Sequence, residues 1–214
     1  MRKIFILLLG LACYLSLKAQ ERPNIVYIFA DDLGYGDLGC YGQQKIETPN
    51  IDALAHSGML FTQHYVMPVC APSRYSLMTG LHSGHAYIRG NDEWTERGDV
   101  WDFKAMEANP SLEGQLPIPD STITIAKILK KNGYKTALVG KWGLGGPMTP
   151  GIPKNQGFDY FFGYLCQRED HQYYPAHLWE NMYRVPLNNK VQDPNIKFPS
   201  GLDAKDVAHY SAYS

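Results

Sequence analysis

The sequence has almost no excess of charge of either sign. Its 20 Lys and Arg residues stand against 21 Asp and Glu residues, a formal net charge of −1. A protein that grips nucleic acid through phosphates normally carries a basic excess, so the composition excludes a nucleic-acid partner. Biased runs and a Gly/Pro period are also absent, and 13% of the residues are aromatic, which excludes disordered and collagen-like chains.

No apolar run is long enough to cross a bilayer, so no transmembrane segment is predicted after residue 19. The run at residues 4–12 follows two basic residues and precedes Leu17-Lys18-Ala19. This order is typical of a secretory signal peptide. We predict a signal peptide over residues 1–19 and an exported protein, periplasmic or secreted. Cys13 leaves a lipid anchor open as the alternative.

Cysteine is scarce, with four residues in the chain. Cys13 lies in the predicted signal peptide, which leaves Cys40, Cys70 and Cys166. Three is an odd number, so at least one of these thiols is unpaired or chemically changed. The spacing does not say which one.

The pattern of apolar segments predicts an α/β fold. Residues 24–30 form a short, nearly continuous apolar run, which is typical of a strand buried on both faces, and residues 59–66 are predicted as a second strand. Amphipathic helices are predicted over residues 50–56 and 124–132, and a third strand over residues 135–139. Alternating strands and helices indicate a parallel or mixed sheet with helical layers.

Two long segments, residues 81–120 and 145–199, show little periodicity and are predicted as loops, the first of them at the surface. Long loops of this kind are often functional. Aromatic residues in the second segment, such as Tyr173, Tyr174 and Trp179, suit either a stacking platform for a sugar or packing in the core.

Two adjacent carboxylates, Asp31 and Asp32, follow the first predicted strand. Gly34 and Gly36 place them in a polar loop at the carboxyl end of that strand. Ligands bind in this crevice in open α/β sheets. For an Asp pair taken alone, a helix cap or a turn is the alternative.

The segment Cys70-Ala71-Pro72-Ser73-Arg74 opens another predicted helix. The fixed φ of Pro72 suits the first turn of a helix, so Cys70 is expected at its N-terminus, where backbone N–H groups and the dipole favour an anion. Arg74 adds a permanent cation one turn further on. A buried or disulfide-bonded cysteine is the alternative for Cys70.

This segment, followed by Thr79-Gly80, resembles the signature of the sulfatase family. Asp31-Asp32 upstream and Gly140-Lys141-Trp142 downstream occur in the family's order, so the resemblance covers essentially the whole chain after the signal peptide. It implies an alkaline-phosphatase-like α/β fold, with a mixed sheet sandwiched between helices.

The resemblance also implies the chemistry. A maturation enzyme would oxidise Cys70 to Cα-formylglycine, whose hydrate offers one hydroxyl to attack sulfur and a second to expel the sulfate. Asp31, Asp32 and the residue at position 70 would bind Ca²⁺ or Mg²⁺, which prefer oxygen ligands. Arg74 would steady the diol, with a surface ion pair as its alternative. Lys141 would bind the sulfate of a sulfated small molecule or glycan.

The chain departs from the family pattern in two respects. Gly143 stands where many members have a histidine that contacts the diol and the substrate. His171 is a candidate substrate ligand, and a loop histidine with solvent or structural partners is its alternative. The family's later metal ligands, an Asp and an Asn, and a further Lys are not visible. We therefore expect residues 20–214 to be the N-terminal part of a catalytic domain, incomplete at its C-terminus.

The sequence thus predicts a metal-dependent sulfuric ester hydrolase of the arylsulfatase type. A phosphonate or phosphate ester hydrolase on the same fold is one alternative, because tetrahedral anions differ little in shape. A non-catalytic glycan-binding or inactive fragment is the other. Activity ratios on matched esters separate the first two, and the chemical state of residue 70 tests the third.

Overall fold

A computed structural model describes residues 22–91, 102–171 and 174–189. The predicted signal peptide and Tyr173 lie outside these residues. The chain divides into two compact units between Leu60 and Phe61. In the described part of the chain, no helix has both the length and the apolar composition needed to span a membrane.

The first unit contains short helical elements. They are two 3-10 turns and one α-helix: Tyr35–Asp37, Gly39–Tyr41 and α1, Pro49–Ser57. Asp52 of α1 accepts a hydrogen bond of 2.6 Å from the backbone N–H of Cys40, which ties the helix to the turn before it. The helix predicted over residues 50–56 is confirmed.

The two predicted N-terminal strands are wrong. Residues 24–30 and 59–66 form no strand in the structure, and the side chains of Val26 and Ile28 are 84% and 83% exposed. An apolar run becomes a strand only where a neighbouring strand pairs with its backbone N–H and C=O groups. Nothing in the described part of the chain pairs with these two segments as a strand.

The second unit contains a four-stranded mixed sheet in the order β1-β2-β3-β4. Its strands are β1, Ala137–Lys141; β2, Tyr160–Tyr164; β3, His177–Glu180; and β4, Tyr183–Pro186. β1 and β2 pair in parallel, and the other pairs are antiparallel. The mixed sheet confirms the prediction, although β1 begins two residues later than expected.

Helices flank this sheet and complete the α/β fold. They are α2, Cys70–Thr79; α3, Phe103–Ala108; α4, Ile125–Lys131; and α5, Gln167–Asp170, with a 3-10 turn at Pro110–Leu112. Thr124 caps α4 by accepting a hydrogen bond of 3.2 Å from the backbone N–H of Lys127, and Asn132 ends the helix. The helix predicted over residues 124–132 is confirmed.

The core of the second unit draws on both segments that were predicted as loops. Ile118 from the first segment and Phe161 from the second are almost fully buried. Trp142, directly after β1, packs with them and donates a hydrogen bond of 2.7 Å to the carbonyl of Gly151. The surface prediction is therefore wrong for Ile118. The loop prediction is wrong for Phe161, which lies in β2, because a strand of five residues is too short to show a clear period.

Candidate active site

Cys70 is the first residue of α2, as predicted. Val69 before it has an extended backbone, and the hydroxyl of Ser73 donates to the carbonyls of Met67 at 2.7 Å and Val69 at 2.9 Å. These bonds fix the chain that enters the helix. Cys70 itself is buried, so its side chain lies at a helix N-terminus with little access to bulk water, where the helix dipole favours an anion.

Arg74 joins this helix to the end of β1. Its Nη1 donates a hydrogen bond of 2.5 Å to the backbone carbonyl of Lys141, the last residue of that strand. Arg74 is therefore not in a purely surface ion pair, which was its alternative interpretation. The contact brings two of the predicted site residues together across the second unit.

Lys141 is buried rather than solvated. Its side chain is only 4% exposed, and its Nζ lies 3.3 Å from Oδ2 of Asp170, whose side chain is 30% exposed. A buried ammonium needs a partner of opposite charge to offset its loss of hydration. Asp170, at the end of α5, supplies it.

Gly143 adopts a backbone conformation in which a histidine would be strained. Its φ is +73°, and a Cβ at this position would lie 3.2 Å from Oε1 of Gln167 and 3.8 Å from Cδ of Arg74. Non-glycine residues rarely adopt this φ. Gln167 is buried, and its Oε1 has no hydrogen-bond partner among the described residues. The space at position 143 is thus bounded by the Gln167 amide and the Arg74 stem.

His171 follows α5 and is exposed. It comes directly after Asp170, which pairs with Lys141. Its role as a substrate ligand stays a prediction.

Asp31 and Asp32 lie in the first unit, and both are exposed. Asp32 has a φ of +55°, the left-handed conformation that Asp and Asn adopt more readily than most other residues. Adjacent exposed carboxylates provide the hard oxygen donors that suit Ca²⁺ or Mg²⁺. Their common use with residue 70, which lies in the second unit, stays a prediction.

The sequence interpretation missed a buried cluster in the second unit, formed by Glu113, Glu169 and His177, whose ligand-type atoms lie within 4.8 Å of one another. His177 Nε2 lies 2.9 Å from Glu113 Oε1. Arg184 also donates to Glu113. The Arg184 guanidinium and the His177 imidazole therefore already pair with the Glu113 carboxylate.

Burial and the charge of Glu113 raise the pKa of Glu169 to about 8. Burial lowers the pKa of His177, but its hydrogen bond to Glu113 and the charge of Glu169 outweigh this, so the net shift is upward.

Trp179 donates a hydrogen bond of 2.6 Å to Glu113 and is buried. Its proposed role in a sugar-stacking platform is therefore wrong, because the core alternative holds.

None of the described cysteines forms a disulfide bond. Burial, followed by the charge of Glu169, raises the pKa of the Cys166 thiol to about 11. This thiol therefore stays protonated and unreactive at neutral pH. Cys40 contributes its backbone N–H to the bond with Asp52. Cys70 is the first residue of α2, whereas Cys166 precedes the four-residue α5.

Three further residues close to the site were not predicted. Asn91 accepts a hydrogen bond of 2.9 Å from the backbone N–H of Ala71, next to Cys70. Asp170 pairs with Lys141, and Gln167 faces Gly143. These contacts join residues that are distant in sequence, and no local pattern marks them.

Residues 23–198 match the Sulfatase family model. The chain belongs to the sulfatase family. Human steryl-sulfatase is 42% identical over 167 residues, which cover 75% of this chain and 27% of that protein. The N-acetylgalactosamine-6-O-sulfatase of Bacteroides thetaiotaomicron is 39% identical over 154 residues, covering 67% of this chain and 26% of that protein. This sulfatase chain thus spans only about a quarter of the length of these relatives.

Solved sulfatase structures share the fold. One from glycosaminoglycan metabolism in Bacteroides thetaiotaomicron superposes with a TM-score of 0.60 at 35% identity, covering 78% of this chain and 32% of that chain. A second, solved with its substrate D-glucosamine-2-N,6-O-disulfate, gives a TM-score of 0.55 at 28% identity, covering 79% of this chain and 28% of that chain. The alkaline-phosphatase-like fold of this sulfatase is thereby confirmed.

Proposed function

We propose that this protein hydrolyses sulfate esters through a formylglycine made from Cys70. One observation carries the proposal: Arg74, in the helix that Cys70 opens, is hydrogen-bonded to the carbonyl of Lys141. This contact between the cysteine segment and the lysine segment of the family signature supports a shared site. Membership of the sulfatase family gives this site its reaction class.

The hydrated aldehyde would supply two geminal hydroxyls, one to attack sulfur and one whose deprotonation expels the sulfate. The protein's own residues would hold these groups in place. Arg74 would steady the diol from the second turn of α2, and the N–H groups at the start of α2 would favour its negative charge. The Lys141 ammonium would bind a sulfate oxygen. Burial of Lys141 strengthens that attraction, because little water screens it.

We propose that Asp31 and Asp32 hold a divalent cation together with the residue at position 70. Their hard carboxylate oxygens fit Ca²⁺, and Mg²⁺ is the alternative. When bound, such an ion favours loss of a hydroxyl proton and polarises a sulfate oxygen. The support comes from the exposed Asp pair and from family membership.

A sulfated sugar is the substrate class that we propose to test first, with a small aryl sulfate as the reporter. The Bacteroides relative is named for a sulfated amino sugar, and a related structure holds a sulfated glucosamine. A formylglycine-generating maturation enzyme is the proposed protein partner, since Cys70 needs an outside oxidant to become an aldehyde.

We propose that the protein is exported and loses residues 1–19. N-terminal sequencing of the periplasmic or secreted fraction checks this, with Gln20 as the expected first residue. Recovery of the protein as a lipid-modified chain that begins at Cys13 would favour the lipoprotein alternative.

The decisive experiment produces the protein from its own gene with and without the maturation enzyme. Mass spectrometry of the peptide that contains position 70 measures the aldehyde fraction, and para-nitrophenyl sulfate hydrolysis measures activity. We expect activity to rise in proportion to the aldehyde. An intact thiol at position 70 in the presence of the maturation enzyme contradicts the proposal.

Two cysteine variants serve as controls. Cys70→Ala should abolish both the aldehyde and the activity, whereas Cys40→Ala should keep both, because the Cys40 contact with Asp52 uses the backbone N–H. Turnover of para-nitrophenyl phosphate above that of the sulfate would favour the phosphate or phosphonate alternative. An aldehyde-free protein that binds sulfated sugars would favour the non-catalytic one.

A further inference from the structure

The Lys141 ammonium already shares its charge with a carboxylate. Its Nζ lies 3.3 Å from Oδ2 of Asp170, and the lysine side chain is almost completely buried. Asp170 is more open, with 30% of its side chain exposed. An anion that reaches Lys141 therefore meets the negative charge of Asp170 beside it.

The groups around Lys141 show on which side of the ammonium this negative charge lies. Tyr164 lies opposite Lys141 in the parallel register of β1 and β2. Burial raises the pKa of its hydroxyl, and the charges of Asp170 and Glu169 raise it further. Arg74 contacts the backbone carbonyl of Lys141 and adds a positive charge on the α2 side. The α5 side of the ammonium is thus the negative side.

We propose that Asp170 is a specificity-determining residue that favours singly charged sulfate esters over doubly charged phosphate esters. This inference rests on the proposed function, in which Lys141 binds the sulfate. A sulfate monoester carries one negative charge, whereas a phosphate monoester loses its second proton at about pH 6 and carries nearly two. The additional charge is repelled by Asp170, and the partly neutralised Lys141 attracts it less.

The effect of the anion's charge on binding can be separated from the effect of its central atom, sulfur or phosphorus. Three probes that bind without being hydrolysed serve this purpose. Methyl sulfate carries one charge at about pH 8, whereas methyl phosphate and inorganic sulfate carry two. Binding is measured by isothermal titration calorimetry on the protein produced from its own gene. Asp170→Asn should strengthen binding of methyl phosphate about tenfold more than binding of methyl sulfate, since one charge acts at a few ångströms in a partly screened site. The change in affinity for inorganic sulfate should match the change for methyl phosphate, because both carry two charges.

Asp170→Glu keeps the negative charge at this position. It should therefore keep the preference of the unaltered protein for singly charged anions. Asp120→Asn is the matched control, because Asp120 forms an ion pair with Lys127 and is not part of the proposed site. This control should leave all three affinities unchanged. If Asp170 had a purely structural role, its replacement would weaken binding of all three probes to the same extent.

Competition assays with para-nitrophenyl sulfate and phosphate extend the test to kcat/KM, where the phosphate-to-sulfate ratio should rise about tenfold in Asp170→Asn. An equal change for singly and doubly charged probes overturns the inference. The inference is also overturned if the affinity for inorganic sulfate changes as the affinity for methyl sulfate does. If the proposed function fails, position 70 carries no aldehyde and turnover is absent, but the binding comparison still reports on Asp170 independently.

Discussion

The guanidinium of Arg74 and the backbone carbonyl of Lys141 are joined by a hydrogen bond of 2.5 Å across 67 residues of sequence. Arg74 belongs to the helix that begins at Cys70, and Lys141 ends β1. The Arg74 side chain thus links the cysteine segment to the lysine segment. We expect the geometry of the proposed site to depend on this bond.

Replacing Arg74 with lysine should lower kcat/KM per mole of aldehyde by at least about tenfold. Lysine keeps the charge but lacks the planar guanidinium that reaches the Lys141 carbonyl. Aldehyde content is measured by mass spectrometry and activity with para-nitrophenyl sulfate, so impaired maturation is separated from impaired catalysis.

Arg89→Lys is the matched control for that experiment. Arg89 also donates to backbone carbonyls, those of Ala86 and Gly84, but it belongs to no part of the proposed site. Its replacement should leave kcat/KM nearly unchanged. Equal losses in the two variants would show that the Arg74 contact has no special role in the site.

Gly163→Ala should lower the free energy of unfolding by about 3 kcal/mol or prevent folding. Gly163 has a φ of +149°, and a Cβ there would lie only 2.0 Å from the backbone oxygen of Gly140 on the neighbouring strand. Urea denaturation measures the loss. Gly36→Ala is the control, since a Cβ at that position meets no atom within 4 Å; similar losses in both variants would contradict the expected contact.

The buried Glu169 should make the protein less stable as the pH rises. Its pKa is raised from 4.5 to about 8, so the folded state holds this proton more tightly than the unfolded state. The resulting stabilisation is complete below about pH 4.5 and is lost as the pH rises through about 8. The raised pKa of His177 acts in the same direction.

Urea midpoints measured between about pH 5 and about pH 9 test this dependence. Glu169→Gln keeps the side chain neutral and should flatten the profile. Glu180→Gln, which changes an exposed carboxylate on β3, should keep the slope. An unchanged slope in Glu169→Gln would refute the assignment of the effect to this carboxyl.

Asp31→Asn and Asp32→Asn should each lower activity about a hundredfold or more while leaving the aldehyde at position 70 intact, because each removes a charged oxygen ligand. Chelation should have the same effect on the unaltered protein, with recovery by Ca²⁺ or Mg²⁺ identifying the ion. Asp37→Asn is the control and should leave activity nearly unchanged. Asp37 accepts a hydrogen bond from the Gly34 N–H and is not a proposed metal ligand. Full activity after chelation would contradict the metal proposal.

Local patterns predicted α1, α2 and α4 but missed α3 and α5, because helices of six and four residues are too short to show a helical period. Thr124 and Asn132 bound α4 as expected, because a hydroxyl cap and an amphipathic period act within one helix. Strands were predicted poorly, and residues 24–30 form none. A strand depends on a partner elsewhere in the chain, so an apolar run alone does not determine it.

The reactive groups and the family follow from the amino-acid sequence alone. The fixed φ of Pro72 and the following residues start a helix at Cys70, and these effects act over a few neighbouring residues. The burial of Lys141 against Asp170 and the contact of Gln167 with position 143 depend on the folding of distant segments. Those contacts arise when distant segments pack around one core, where burial makes each charge and each polar atom depend on its neighbours.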